Sequence, residues 1–227
     1  MKFHVIFLIS VISVFTHKLI AQSESKRMLF SVGTVYGSAI FPNEQYDLFH
    51  QINGRLRYSL SIHGMFPINE KINMQGGLQY SKINYDYNIN GLKFEIDIIN
   101  GTETSLISTY NYTLAEFPVS INFGMFNSSK NKIGFGCSVI KTLNNNINAL
   151  LQYSDDTFEQ LNSIENKIPD VNFSSFIQYN YFIKLSNDNY IYLNPVIKWY
   201  LKPNLPPISG IKAYYYSLAL NIGLMIK

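Results

Sequence analysis

Apolar and polar side chains alternate almost without error over the last fourteen residues of the chain, 214–227. Tyrosine, leucine and isoleucine occupy every second position, and smaller or polar side chains stand between them. A β-strand turns successive side chains to opposite faces, so this period of two predicts a strand with one apolar face. The same rule holds earlier in the chain. We predict strands at 28–37, 55–67, 72–87, 109–126, 133–143, 171–185, 190–201 and 211–227.

Short and long connections alternate along the chain between these predicted strands. The connections after the second, fourth and sixth strands (69–71, 127–132 and 186–189) are short and rich in turn-forming Asn, Asp and Ser. The other connections are longer and polar. Short periplasmic turns alternating with long outer loops are typical of outer-membrane barrels. We therefore predict an all-β fold, an eight-stranded antiparallel up-and-down transmembrane β-barrel with both chain ends on the periplasmic side.

Alternation alone leaves open which face is inside, since a soluble lipocalin-like barrel would turn its apolar face inward. Two features favour an outward apolar face. The polar faces carry Asn, Gln, Ser and Arg with few of the Lys and Glu that solvated faces show. Aromatic residues on the apolar faces fall near the loop ends of the strands, where an outer interfacial girdle belongs. This predicted girdle comprises Tyr36, Tyr58, Trp199, Tyr214 and Tyr216. A soluble secreted barrel that binds an apolar ligand stays as the alternative.

Composition agrees with a membrane barrel and the N-terminus with export. Apolar residues make up 47% of the 227 residues and charged residues only 15%, against about 25% charged in soluble domains. Residues 1–21 combine a positive start, an apolar core at 3–15 and Ala21 at a plausible cleavage point. We predict a cleaved signal peptide at 1–21, one barrel domain at 22–227, and a location in the cell outer membrane.

Charge argues against a nucleic-acid partner. The net charge of +3 falls to +1 when Lys2 and Lys18 leave with the signal peptide, which is far from the basic surface that such partners need. The expected partners are outer-membrane lipid and another envelope protein, and the barrel is expected to be a monomer.

Two motifs add a family resemblance that covers nearly the whole mature chain. One is the segment Ala-Glu-Phe-Pro-Val-Ser-Ile at 115–121. The other is a hairpin from Tyr58 to Tyr80 with an Asn/Lys turn and a Gly-Gly-Leu-Gln-Tyr-Ser return strand. Together with the signal peptide and the eight strands, they resemble the PorT-like outer-membrane β-barrel family. The resemblance implies an outer-membrane barrel, with one namesake linked to protein secretion. Lys227 departs from the pattern, because outer-membrane proteins usually end on an aromatic residue.

The polar faces predict a filled, polar lumen, because the side chains of an eight-stranded barrel just fill its interior. Buried charges need partners, so we expect Glu116 to pair with an arginine of the second strand or with Lys198. The structural interpretation is a polar plug that holds the barrel in shape, and a conducting pore is not expected at this diameter. The predicted lumen network comprises Arg55, Arg57, His63, Glu116, Gln178, Asn180 and Lys198.

A lipid-modifying barrel enzyme is the second alternative. Ser61 and Ser120 are candidate nucleophiles, His63 a candidate base and Glu116 a candidate orienting acid. His63 and Glu116 are expected at different depths of the barrel, so we predict no enzyme activity and assign no catalytic residue. No set of histidines, cysteines and carboxylates has metal-ligand spacing, and no cofactor is predicted.

Two long outer loops are the candidate partner surfaces. In loop 88–108, residues 94–98 alternate like a strand, which predicts a hairpin rising past the membrane with an edge open to a partner strand. In loop 144–170, Ser154 suits a helix cap. Phe158, Leu161 and Ile164 recur at a spacing of three, which predicts a short amphipathic helix.

Proline and glycine inside the predicted strands mark irregular positions. Pro118 and Pro195 cannot donate to a ladder, so each predicts a bulge or a gap in strand pairing. Glycines at 76, 77, 134 and 136 are expected to allow the curvature that a small barrel needs.

Overall fold

Nine β-strands make up the fold of the described residues. The computed structural model describes residues 27–40, 50–90, 103–125, 130–153, 156–161, 170–185, 189–202 and 214–226. The predicted signal peptide and Lys227 lie outside them. None of the described residues forms a helix long and apolar enough to span a membrane. The strands are β1 Arg27–Ile40, β2 His50–Pro67, β3 Ile72–Asn90, β4 Glu103–Gly124, β5 Asn131–Tyr153, β6 Phe158–Leu161, β7 Val171–Lys184, β8 Tyr190–Tyr200 and β9 Tyr214–Ile226.

Eight of the strands close into a ring. They pair antiparallel in the order β1-β2-β3-β4-β5-β7-β8-β9, and β9 pairs with β1 from Met28↔Ile226 to Ile40↔Tyr214. Short β6 pairs only with β5 and lies outside the ring. The connection between β2 and β3 is a turn in which Asn69 Oδ1 accepts bonds from the amides of Lys71 and Ile72. We call this end of the barrel, where β2, β4 and β7 finish, the turn end, and the opposite end, where β1, β3 and β8 finish, the loop end. The predicted eight-stranded up-and-down barrel is confirmed.

Apolar side chains face outward around the middle of the ring. Leu60, Ile121, Ile177 and Leu220 are between 38% and 48% exposed. The polar residues between them point into the lumen and are buried. This is the reverse of a soluble barrel, so the alternative with an apolar ligand in the lumen does not describe this part of the molecule.

The outward apolar faces form a band of membrane thickness, which we call the apolar belt. On β7 every outward residue from Phe173 to Ile183 except Ser175 is apolar or aromatic. These ten steps, at about 3.3 Å each and a strand tilt of about 40°, span about 25 Å along the barrel axis. That matches the height of about 25 Å typical of the apolar band of outer-membrane barrels. The architecture is that of a transmembrane β-barrel.

Both strand prolines lie at gaps in the ladder, as predicted. Pairing of β3 with β4 passes from Gly76↔Val119 to Gln79↔Glu116, with no pair at Pro118. Pairing of β7 with β8 passes from Gln178↔Val196 to Tyr181↔Leu193, with no pair at Pro195. The register is the same on both sides of each gap, so these prolines interrupt hydrogen bonding without adding a bulge.

Strands β2 to β5 continue past the apolar belt, and there the two faces exchange character. Inward residues become apolar or aromatic, and outward residues become polar. Buried inward examples are Tyr85, Tyr110 and Ala149, while Asn146 and Asn148 face outward. We call this part the extension. Its polar outer face explains why the alternation of apolar residues predicted strands that end too early, at 143 instead of Tyr153 in β5.

The predicted loop 144–170 and its helix are wrong within the described residues. Residues 144–153 belong to β5, and Phe158–Leu161 forms β6, which pairs with Ala149–Gln152. Asp156 adopts φ 62° in the connecting turn. Residues 158–161 pair with the edge of β5, and these ladder hydrogen bonds outweigh the three-residue apolar spacing that predicted a helix. Ser154 and Ile164 lie outside the described residues.

Candidate functional site

Four layers of side chains fill the lumen from the turn end to the loop end. An apolar layer of Leu29, Met65, Phe182, Tyr192 and Met225 comes first. A belt of amides, a buried ion pair and a cluster of tyrosines follow. Two small cavities remain beside Lys198, of about 20 and 10 Å³, which is room for one water molecule at most. From the amide belt to the tyrosine cluster, the described part of the lumen is therefore filled.

The amide belt joins strands from all around the ring. Ser59 donates to Asn221 (2.9 Å), Asn221 to Asn194 (3.0 Å) and Asn194 to Asn180 (3.0 Å). Asn180 in turn donates to Asn122 (3.1 Å), and Asn122 to Asn73 (2.8 Å). Asn122, Asn180, Asn194 and Asn221 each donate and accept, which offsets the cost of removing these amides from water, whereas Asn73 only accepts. The belt thus links β2, β9, β8, β7, β4 and β3 without a charge.

Gln178 is the centre of the belt. Its amide nitrogen lies within hydrogen-bond distance of Ser120 Oγ (2.9 Å), Asn122 Oδ1 (2.8 Å) and Gln75 Oε1 (3.2 Å). The predicted network contained Gln178 and Asn180 but not Asn73, Asn122, Asn194 or Asn221. These four asparagines could have been identified from the sequence, because each lies on the polar face of a predicted strand.

Gly134 makes room for the belt, so its replacement tests the packing. A Cβ at Gly134 would collide with Asn122 Oδ1 and come within 2.9 Å of Gln178 Cγ. We expect Gly134→Val to lower the free energy of unfolding by about 1–3 kcal/mol, because the close-packed lumen cannot absorb the added methyl groups. Urea titration of the folded barrel in lipid vesicles measures the change.

Gly76 supplies the matched control for that prediction. A Cβ there meets nothing closer than 3.6 Å, so Gly76→Ala should leave the unfolding midpoint nearly unchanged. Equal losses in Gly134→Val and Gly76→Ala would mean that backbone curvature, rather than the space needed by the amides, requires glycine at 134.

One ion pair lies inside the barrel, next to the amide belt. Glu116 pairs with Lys198, one of the two partners expected, and their side chains are 1% and 6% exposed. Ser81 Oγ donates to the other carboxylate oxygen at 3.0 Å, and the Lys198 ammonium lies 5.8 Å from the centre of the Phe176 ring. The pair links β4 with β8 across the lumen and satisfies both buried charges.

Tyrosines close the lumen at the loop end. Tyr85 stacks on Tyr110 with ring centres 4.8 Å apart and packs against Tyr215 at 5.0 Å. The Tyr85 hydroxyl bonds those of Tyr112 (3.2 Å) and Tyr215. Burial raises the pKa of Tyr110 far above its ordinary range, so this hydroxyl stays neutral. We call Tyr85, Tyr110, Tyr112, Tyr200 and Tyr215 the tyrosine cluster.

The prediction that Arg55 lies in the lumen is wrong. Its side chain is 48% exposed and forms an ion pair of 2.6 Å with Asp86 in the extension. The register of β2 against β3 shifts between Arg55 and Ser59, and such a bulge re-aims the side chains beyond it. Arg57 is half-buried within this bulged segment, opposite buried Val35 of β1.

The candidate catalytic residues are not joined to one another. His63 is buried, and its Nδ1 lies 3.1 Å from Gln75 Nε2. Ser61 bonds Ser31, Ser120 accepts from Gln178, and Glu116 is held by Lys198. Among the described residues, no group of His, Cys, Asp and Glu side chains is arranged to hold a metal ion. The geometry shows a packed polar interior rather than a nucleophile with its base.

All five residues of the predicted girdle occupy outward positions on their strands; Trp199 and Tyr214 lie at the loop ends of β8 and β9, whereas Tyr58 lies near the middle of β2. Tyr58, Trp199 and Tyr214 are 40–45% exposed, and Tyr36 and Tyr216 are half-buried. Trp199 pairs directly with Tyr216. A second outward aromatic row at the turn end was not singled out from the sequence. It consists of Phe123, Tyr179 and Tyr181, which are 37–40% exposed.

The strand edge expected in loop 88–108 is not free in the residues described there. β3 pairs with β2 as far as His50↔Ile89, and β4 pairs with β5 through Leu106↔Leu151. These two strands are therefore in the middle of the extension. Residues 91–102, which include the alternating segment 94–98, lie outside the described residues.

An unpaired edge occurs instead on β5. Pairing with β7 ends at Lys141, pairing with β6 begins at Ala149, and the Thr142 amide bonds the Asp170 carbonyl. Within the described ranges, residues 143–148 have no ladder partner on that side. We call them the open edge. Its residues 143–146 and 148 are exposed, four of them asparagines.

Comparison with known proteins identifies similar folds only. No protein-family model and no curated protein matches the chain. Among solved structures, Neisserial surface protein A is 12% identical with a TM-score of 0.45, covering 90% of this chain and 99% of that one. Ail, the attachment invasion locus protein of Yersinia pestis, is 7% identical (TM-score 0.44; 89% and 99%). The outer membrane protease OmpT from Escherichia coli is 8% identical (TM-score 0.44; 90% and 97%). These likenesses carry no argument about function.

Proposed function

We propose that this chain is an outer-membrane β-barrel that does not conduct, and that it holds an extracellular sheet for binding another envelope protein. The main support for this proposal is that the apolar and polar faces of the strands exchange sides at the loop end. The apolar belt requires lipid around the middle of the barrel, whereas the polar outer face of the extension requires water. With the export signal at 1–21, this favours the outer membrane of a Gram-negative bacterium.

A filled lumen favours a binding role over transport. The amide belt, the ion pair and the tyrosine cluster occupy successive depths of the lumen. A solute path would require several buried hydrogen bonds to break. We also propose no enzyme activity, because the hydrogen bonds of His63, Ser61, Ser120 and Glu116 go to structural partners.

The open edge is the proposed contact with the partner. Backbone groups on an unpaired strand edge can bind an extended segment of another chain by adding it to the sheet. The exposed asparagines beside the edge can bond the side chains of that segment. Lysine, which natural proteins place on edges to prevent such pairing, does not occur at 143–148.

A charged edge tests this contact. In Asn144→Lys/Asn146→Lys we expect at least a tenfold loss of the partner recovered with the tagged barrel from detergent-solubilised outer membrane, because two lysines oppose strand addition. Quantitative mass spectrometry of the purified complexes gives the measurement. Gln51→Lys adds a charge at an exposed position of β2 and should leave recovery unchanged. Recovery that is equal in all three proteins would refute the role of the open edge.

The resemblance to PorT-like barrels extends the proposal to protein secretion. The partner would then belong to secretion machinery in the envelope. The same double variant should accumulate secreted proteins inside the cell and lower their amount in the medium. Quantitative proteomics of the medium provides the comparison. If the variant fails to bind its partner and still secretes a normal set of proteins, the binding role stands and the link to secretion is refuted.

A further inference from the structure

A separate pocket of about 230 Å³ opens at the turn end of the barrel. Part of the apolar layer of the lumen lines it, and it is far from the open edge. Arg27, Lys130 and Lys132 line it, and Glu70 is the one carboxylate among its described lining residues. At about 30 Å³ for each water molecule, it has room for about seven. We call it the turn-end pocket.

Lys132 is the reason to expect an anion there. The residue is only 8% exposed and lines the pocket, and a largely buried lysine is costly unless an opposite charge compensates it. In the described part of the chain, no carboxylate lies within 4 Å of its Nζ. Glu70 lines the same pocket but, in the described structure, forms no ion pair with Lys132 like the one that Glu116 forms with Lys198.

Asn73 adds an independent sign of a missing ligand. Its side chain is 1% exposed and lines the same pocket. The Oδ1 atom accepts a bond from Asn122 at 2.8 Å, but the Nδ2 group has no partner among the described residues. A buried donor without an acceptor costs about 1–3 kcal/mol. The amide belt thus ends in an unpaired donor on a residue that lines a basic pocket.

Aromatic and apolar side chains around the pocket position its cationic groups and strengthen their attraction for an anion. The Arg27 guanidinium lies 5.1 Å from the centre of the Tyr190 ring. Met65, Phe182 and Met225 supply apolar walls, and a low local dielectric strengthens hydrogen bonds to a charged ligand.

We propose that the turn-end pocket binds a phosphate group. Phosphate presents several acceptor oxygens around one centre, so it can bond a guanidinium, an ammonium and an amide at the same time. A soluble phosphate compound and the headgroup of a phospholipid share this chemistry. With the barrel oriented as proposed, both sources lie on the periplasmic side.

Calorimetry on the mature full-length barrel in detergent tests the site, with pyrophosphate as the probe. We expect one pyrophosphate per barrel and at least tenfold weaker binding in Lys132→Gln and in Asn73→Ala. Lys184→Gln removes the same charge from an exposed position outside the pocket and should bind like the parent. Electrophoretic mobility without heating shows that each variant is folded. Binding that is absent from the parent, or equal in Lys132→Gln and Lys184→Gln, would overturn the proposal.

Two further arms identify the source of the phosphate group. Preferential retention of phosphatidylglycerol over phosphatidylcholine from mixed vesicles, lost in Lys132→Gln, would support a headgroup. Pyrophosphate binding without this preference would support a soluble ligand. Glu24 lies three residues before Arg27 in the sequence, so Glu24→Gln is a further variant. If pyrophosphate binds only after that substitution, the pocket serves the chain's own carboxylate and the proposal fails.

Discussion

Replacing Lys198 with methionine is expected to lower the free energy of unfolding by about 3–5 kcal/mol. Removing one partner of a buried ion pair leaves the other charge without compensation, and this costs more than the pair itself contributes. Glu116 would stay buried with only hydroxyl donors, from Ser81 and Ser138. It must then remain charged in a dry lumen or take up a proton, and both outcomes favour the unfolded chain.

Urea unfolding in lipid vesicles measures this loss. Trp199 is the single tryptophan and lies on the outward face, so its fluorescence reports whether the barrel is inserted. The double variant Glu116→Gln/Lys198→Met should recover most of the stability, because it removes both charges. Asp170→Asn breaks the exposed pair with Lys141 and should cost less than about 1 kcal/mol. A double variant as unstable as the single one would show that the charge left behind is not the cause.

Replacing Tyr85 with alanine is also expected to cost about 3–5 kcal/mol, the range for truncating large aromatic side chains in a packed core. Tyr85 is 3% exposed and contacts three other tyrosines of the cluster. The truncation leaves a cavity and removes the hydroxyl that bonds both Tyr112 and Tyr215. The extension should therefore lose protection before the apolar belt unfolds.

Two variants separate packing from hydrogen bonding at this position. Tyr85→Phe keeps the ring and should cost only about 1 kcal/mol. Tyr58→Ala removes a tyrosine of similar size that is 45% exposed on the outward face, so it should cost less than Tyr85→Ala. Hydrogen exchange read by mass spectrometry would locate the effect in residues 83–90 and 103–114. Unchanged protection there in Tyr85→Ala would contradict a packed plug at the loop end.

The alternation of apolar and polar residues along the sequence predicted most of the barrel. In 171–185 and 190–201 it placed the strands within one residue of their observed bounds and set every lumen residue on the correct face. It also limited the expected partners of Glu116 to an arginine of the second strand or Lys198. It failed where its assumption of an apolar outward face failed, at 144–153, because polar side chains face outward there and the inward face becomes apolar.

By itself, the sequence determined the eight strands of the ring and the polar character of the lumen within the apolar belt, because alternation is a local property of each strand. Tertiary structure alone decided which side chains meet. Asn73, Asn122, Asn180, Asn194 and Asn221 are spread over five strands and join only because the closed ring fixes their depths. A one-residue bulge likewise moved Arg55 out of the lumen, and, among the described residues, 143–148 have no ladder partner on the side of β6 and β7. Whether two side chains meet across a barrel depends on the register of every strand pair that lies between their two strands. The sequence of one strand does not specify those registers.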